Sequence, residues 1–338
     1  MLSLHSYIHI KNLFCSEKTI VNINKSITLP RWLDNIIYNE FDAVYEPRPE
    51  DVMTNPDKGY DFAKLYLGTY FPRSYAEAYC ILGKLLENSN YYQMISGLTE
   101  LSILDFCCGT GGEIFGLISL LSEKLPKLGS IRIDAFDANP DYVRFLFHIS
   151  RKIEGDIYVN INPQCFFIQN EQNLQDIVNS TNTQYNIILS CKALNEFVQH
   201  DVFPNENIYN KIAYTFLPCL SDEGILLLSD LTYKDKKYGV FYPEVMNNGL
   251  NSLLRSDNRY KSLYPYSCFF YEHHCPNCYM QDIIYVSHSR KKMDISKIAY
   301  RIIGKSDFIT QMMKGISSYQ KCRANSPQAD KNIPYRSI

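Results

Sequence analysis

From about residue 96 onward, short apolar runs alternate with longer amphipathic stretches. Leu101-Ser-Ile-Leu-Asp105, Ile131-Arg-Ile-Asp-Ala-Phe-Asp137, Cys165-Phe-Phe-Ile168, Tyr185-Asn-Ile-Ile-Leu-Ser190 and Gly224-Ile-Leu-Leu-Leu-Ser-Asp230 have the length and composition of strands. Between them, Glu113 to Lys124 and Asp141 to Ile149 repeat apolar residues at helical spacing, and Tyr142, Phe145, Leu146 and Ile149 share one face. Two further strand-like pieces, Tyr264 to Tyr271 and Asp282 to Ser289, bring the strand total to seven. Strands that alternate with helices predict an α/β fold, a doubly wound and mostly parallel seven-stranded sheet.

The flanks follow a different pattern. Residues 1–95 predict a mainly helical extension or lid, with one helix after Pro30 and a helix pair over 61–87 broken at Pro72. Ser74 would cap the second helix of that pair, with Glu77 completing a capping box. Residues 96–293 form the central domain. Residues 294–338 predict a C-terminal helix, with Ile298, Ile302 and Ile303 at helical spacing, and then a loose polar tail.

The first strand ends in a loop of small residues, Asp105-Phe-Cys107-Cys-Gly109-Thr110-Gly111-Gly, directly before a helix. Such a loop at the carboxyl end of a parallel strand is where open α/β sheets bind nucleotides. It is not the dinucleotide pattern G-x-G-x-x-G, and no lysine follows to make a phosphate-binding loop. Asp105-x-Cys107-x-Gly109-x-Gly111 instead resembles the first motif of class I S-adenosylmethionine (SAM) methyltransferases, with Cys107 in place of the first glycine. The next strand ends in Asp137-Ala138-Asn139, and a carboxylate there suits the two hydroxyls of a ribose. Ser190 to Glu196 follows the fourth strand and would lie where a methyl group is presented. Glu196 is the candidate general base or substrate contact, and Ser190 a cofactor contact. Arg73 is a candidate partner for the cofactor's carboxylate, and Tyr66, Tyr70 or Tyr75 for closing over it. Cys191 sits in Ser-Cys-Lys, not the Pro-Cys of a cytosine nucleophile, and no Asn/Asp-Pro-Pro-Tyr motif is present.

Composition changes the picture little. The net charge of −2 gives no global basic field for nucleic acid. No apolar run reaches the roughly 18 residues of a membrane span, and no signal peptide is evident. The 11 cysteines are expected as reduced thiols of a cytoplasmic chain, with an organellar address left open. Between the last two strands stand Cys268, His273, His274, Cys275 and Cys278, the last two as Cys-Pro-Asn-Cys. Cys268, His274, Cys275 and Cys278 make a candidate metal set, for zinc or for an iron–sulphur cluster.

Four segments together resemble the methyltransferase-like family associated with the mitochondrial and bacterial small ribosomal subunit. They are Tyr70-Phe-Pro-Arg-Ser-Tyr75, Leu104 to Gly111, Ile187 to Glu196 with its Leu-Asn-Glu ending, and the Cys268 to Pro276 spacing. The resemblance implies a class I SAM-binding fold, a role near small-subunit ribosomal RNA and a cysteine-bound metal centre. Cys107 departs from that family's usual glycine, and three clustered cysteines stand where four would be expected. Three functions follow as expectations: a SAM-dependent methyltransferase acting on ribosomal RNA or at the small subunit, a small-molecule methyltransferase, and a non-catalytic SAM-binding assembly factor.

Overall fold

The computed structural model describes residues 26–47, 59–181, 184–234, 239–270 and 282–316. In chain order the elements are β1 (Ile27–Thr28), α1 (Arg31–Asn35), a π-helical turn (Ile36–Glu40), α2 (Gly59–Leu86), α3 (Ser89–Ile95), β2 (Glu100–Phe106), α4 (Gly112–Lys124), β3 (Ser130–Asp137), α5 (Pro140–Ser150) and β4 (Tyr158–Cys165). There follow α6 (Glu171–Ser180), β5 (Tyr185–Cys191), α7 (Leu194–His200), α8 (Ile208–Phe216), β6 (Leu220–Leu231), α9 (Tyr242–Ser256), β7 (Tyr260–Tyr264), α10 (Tyr266–Phe270), β8 (Asp282–His288), β9 (Lys291–Lys305) and α11 (Ser306–Met312). Two compact units divide the chain: Met1–Phe167 with Ile284–Ser296, and Ile168–Ile283 with Lys297–Ile338. The first thus combines the helical extension with the front half of the central domain.

In the first unit, β2, β3 and β4 pair in parallel, with Leu104 opposite Asp134 and Ala135 opposite Pro163. The crossovers are α4 and α5, so this is a βαβαβ half of the kind that binds nucleotides. β2 and α4 are almost wholly buried. α5 is amphipathic and buries Tyr142, Phe145, Leu146 and Ile149, as its pattern predicts. Short β1 pairs in parallel with β8, Ile27 opposite Val286.

In the second unit, β5 and β6 pair in parallel, while β9 runs antiparallel to β6 and β7. The class is α/β with mostly parallel pairings. The sequence placed several elements differently. Strand β4 lies at 158–165 rather than starting at Cys165. Its alternation is polar and half-exposed, and it contains Pro163, which hid it. The strand expected at Tyr264 to Tyr271 is β7, ending at Tyr264, followed by α10. The expected C-terminal helix is strand β9 as far as Lys305, and only α11 beyond it is helical. Ile298, Ala299, Tyr300, Ile302 and Ile303 are all buried. A strand covered on both faces shows no alternation, so its apolar run mimics a helix.

The break expected at Pro72 is absent: α2 runs through it for 28 residues, and Ser74 and Glu77 lie inside the helix. A proline lacks the N–H that would reach the carbonyl four residues back, which is that of Gly68. Tyr38 replaces that donor, its hydroxyl reaching the Gly68 oxygen at 2.6 Å. Since the Tyr38 proton is used there, Nδ1 of His288, 3.0 Å away, carries the proton it shares with the Tyr38 oxygen. Beyond it, Arg73 grips Asp294, with Nε–Oδ2 at 2.8 Å and Nη2–Oδ1 at 2.9 Å, both side chains nearly sealed from water. This buried polar chain ties the π-helical turn, α2 and the β8–β9 segment together.

Tyr38→Phe strands the Gly68 carbonyl and is expected to cost about 1–3 kcal/mol, read by chemical denaturation. Arg73→Met leaves Asp294 charged and unpaired and costs about 3–5 kcal/mol. Adding Asp294→Leu to Arg73→Met should restore much of that loss. The Arg73 hydrogen bond and charge, with the His288 ring 3.7 Å away, hold the Asp294 carboxyl down at about 2 despite burial. Its folded value lies below the unfolded one, so its stabilisation is full above about pH 4. Acid titration of wild type against the double variant should show that contribution fading as pH falls toward 2.

Candidate functional site

The site sits at the carboxyl ends of β2 and β3 in the first unit. β2 delivers Asp105 at its end, fully buried. The chain then turns through Cys107 (φ 59°), Gly109 (φ 53°) and Gly111 (φ 82°), all left-handed. The Cys108 N–H donates to the Phe136 carbonyl at 2.9 Å, and the Gly111 N–H to the Cys108 carbonyl at 2.9 Å. Gly111 stands at the N-cap of α4. A Cβ on Gly111 would lie 2.6 Å from Leu146 Cδ1, and one on Gly109 3.0 Å from the Tyr66 hydroxyl. Both glycines therefore answer a left-handed turn and a close approach at once. Cys107 accepts the same turn with a side chain, which costs an L-residue about 1–2 kcal/mol.

Asp137 clasps this loop. Its Oδ2 accepts the Gly109 N–H at 2.7 Å and its Oδ1 the Asn139 N–H at 2.9 Å. Asn139 in turn caps α5, its Oδ1 accepting from the Asp141 N–H at 2.9 Å. The Ala138 carbonyl takes the Cys165 thiol at 3.4 Å, and Thr110 is buried. The structure thus gathers Asp105, Cys107, Gly109, Thr110, Gly111, Asp137, Ala138 and Asn139 at one edge of one sheet. Tyr66 lies over Gly109, stacked on Tyr142 at 4.3 Å and beside Tyr70 at 4.9 Å. Tyr75 is a core residue, buried in α2.

The electrostatics are unusual. Neither Asp105 oxygen has a hydrogen-bond partner among the described residues. Burial, then the charges of Glu113 and Asp137, push its carboxyl well above the usual range. Burial lifts Asp137 to about 6 against the pull of its backbone N–H donors. The Cys108 thiol is raised too, by burial and by the same acids, and stays protonated. Glu113, in the first turn of α4, is also buried. Three carboxyls therefore converge at a helix N-terminus that would otherwise attract phosphate.

Arg73 is not at this edge. Its guanidinium is tied to Asp294 through Nε and Nη2, and Nη1 is buried without a hydrogen-bond partner among the described residues. Ser190 and Glu196 belong to the second unit. Ser190 is buried at the end of β5, its hydroxyl without a hydrogen-bond partner among the described residues. Glu196 lies half-buried in the first turn of α7, its N–H on the Ala193 carbonyl at 3.0 Å. Asn170, just after β4, caps α6 by accepting the Asn173 N–H at 3.1 Å. Cys191 is buried. Of the candidate metal set, Cys268 is buried in α10, and His274, Cys275 and Cys278 lie outside the described residues. No cluster of metal-ligating side chains occurs among the described residues.

Asp230, which the sequence placed only at a strand end, organises the turn that carries Glu196. Its Oδ2 accepts the Asn195 N–H and the Tyr209 hydroxyl, both at 2.8 Å, and its Oδ1 the Leu231 N–H at 2.7 Å. The Asn195 amide, oriented to satisfy both ends, donates to the Lys192 carbonyl at 2.9 Å and to Asp230 Oδ1 at 2.8 Å. Lys192 holds a left-handed φ of 57° there. Burial lifts the Asp230 carboxyl to about 7. An acid at a strand end followed by no turn residues was the available signal.

No protein-family model matches the chain, and no curated protein does. Among solved structures it is similar to the plantazolicin methyltransferase BpumL in complex with SAH, at 14% identity and TM-score 0.39, covering 80% of this chain and 93% of that one. It is similar to an S-adenosylmethionine-dependent methyltransferase from Clostridium acetobutylicum at 13% identity and TM-score 0.37, covering 69% and 91%. It is also similar to the DszA carbon methyltransferase at 13% identity and TM-score 0.40, covering 72% and 57%.

Cys107→Gly relieves the left-handed strain and should stabilise the protein by about 1 kcal/mol, seen as a higher thermal midpoint. Gly111→Ala should do the reverse, because the new methyl meets Leu146 and the backbone angle is unfavourable.

Proposed function

We propose that the chain is a methyltransferase that uses SAM. One observation carries this reading: the unpartnered, buried Asp105 carboxylate under a glycine loop, with Glu113 and Asp137 beside it. Three acids repel the phosphates of NAD or ATP. They suit a ligand that brings positive charge, and SAM brings an ammonium and a sulphonium together with a ribose. Asp137 spends one hydrogen bond per oxygen on the loop, which leaves a lone pair on each for the ribose hydroxyls.

Bound SAM supplies a methyl group already activated on sulphur, so the protein's task is to hold donor and acceptor in line. Ribosomal RNA and the small subunit are implied by the sequence resemblance alone. Of the Cys268 to Pro276 segment that shares in that resemblance, residues 271–276 lie outside the described residues.

The test is Asp105→Asn, measured for both stability and SAM affinity. Asn is the uncharged isostere of a carboxyl that burial already pushes toward its neutral form, so the free protein should keep about wild-type stability. Removing the cation's partner should weaken SAM by about thirtyfold or more, the scale of losing one side of a buried charged pair. Equal SAM affinity in the two proteins, or no SAM binding by wild type, overturns the proposal.

A further inference from the structure

A cavity of about 410 Å³ lies in the first unit, lined by Phe41, Tyr60, Arg144, Phe145 and His148. These come from the end of the π-helical turn, the start of α2 and the middle of α5. Its aromatic wall is built in two orientations. Phe145, buried, meets Phe41 edge-on with ring centres at 4.9 Å and stacks on Tyr60 at 5.4 Å. Tyr60 itself remains 41% exposed, and Lys64 Nζ lies 5.6 Å from its ring centre, so a flat ring would meet Tyr60 along its exposed part, beside this cation.

The rim is cationic. Arg144 and His148 stand one turn apart on α5, and both are exposed. Arg144 is set in place: its guanidinium lies 4.9 Å from the Tyr60 ring centre, and Asp141 on its own helix takes Nη2. A guanidinium has five N–H donors, so a fork remains for an incoming anion. The same helix face continues with Phe147, 46% exposed, and with Arg151, whose guanidinium sits 5.7 Å from the Phe147 ring. Lys152 beside it pairs with Glu40. Arg151 has no carboxylate partner among the described residues, so the face keeps a positive surplus after the Arg144–Asp141 and Lys152–Glu40 pairs. Ring platforms interleaved with cations at helical spacing are the chemistry by which proteins hold bases and phosphates.

We propose that this cavity is a binding site for a nucleotide, taking its base against Tyr60 and Phe41 and its phosphate on Arg144. It is separate from the glycine loop and does not depend on what that loop binds. The nucleotide has two sources, a free monophosphate or one unit of a single strand, and α5's second platform at Phe147 gives the strand a continuation.

Uridine 5′-monophosphate is titrated calorimetrically into the full chain, with and without saturating SAM, alongside uridine and a ten-residue oligouridylate. The expected result is binding of the monophosphate that SAM leaves unchanged, with uridine about tenfold weaker. Tyr60→Ala should weaken all three probes about tenfold, the scale of one lost stacking platform. Arg144→Ala should bring the monophosphate down to the level of uridine. Both side chains are exposed, so the variants should keep the wild-type thermal midpoint. An oligonucleotide that binds tighter than the monophosphate, with added loss in Arg151→Ala, marks the strand as the source; equal affinities mark the free nucleotide. Absence of binding by both the monophosphate and the oligonucleotide, binding that SAM competes away, or binding indifferent to Tyr60→Ala and Arg144→Ala overturns the proposal.

Discussion

A carboxylate buried without a hydrogen-bond partner must be protonated, neutralised by a ligand, or paid for by the rest of the fold. Asp105 is such a group, and the first unit is arranged around it. β2 carries it to the edge of the sheet, and the left-handed turn of Cys107, Gly109 and Gly111 wraps the chain past it. Asp137 fixes that turn from the neighbouring strand, and Glu113 adds a third acid from the helix that follows. Leaving the Asp105 carboxyl unpartnered does not stabilise the free protein. It makes sense as preorganised charge for a cation, because the cost is borne in folding rather than at binding.

The second constraint is mechanical. α2 crosses a proline without breaking because Tyr38 supplies the donor that Pro72 lacks, and Tyr38 is itself held by His288. The same helix carries Tyr66 over Gly109 and Arg73 to Asp294. The tyrosine cover of the loop and the buried ion pair are therefore consequences of one continuous helix. In the second unit, Asp230 plays the comparable part, gathering donors from Asn195, Tyr209 and Leu231 around the strained Lys192.

The βαβαβ half was legible in the sequence because its strands and helices keep distinct periods and its turn residues are small. Asp105, Gly109, Gly111 and Asp137 could be placed together from spacing alone. What spacing cannot show is pairing. Arg73 reads as a free cation until Asp294, distant in sequence, comes beside it. Pro72 reads as a breaker until Tyr38 repairs the missing hydrogen bond. β9 reads as a helix because burial on both faces erases its alternation. β4 hid for the opposite reason, being too polar and holding a proline. In each case a tertiary contact overrode a local preference.

The central claim is that the acid cluster under the glycine loop exists to receive a cation. Proton-linked calorimetry tests it most directly: SAM is titrated near pH 6 in two buffers of different ionisation enthalpy. Asp137 sits near 6 in the free protein and Asp105 is raised above the usual carboxylate range. A cation lowers both, so binding must release protons, and affinity must fall as pH drops below about 6. Proton uptake, or binding with no proton exchange across pH 5 to 7, would contradict the account.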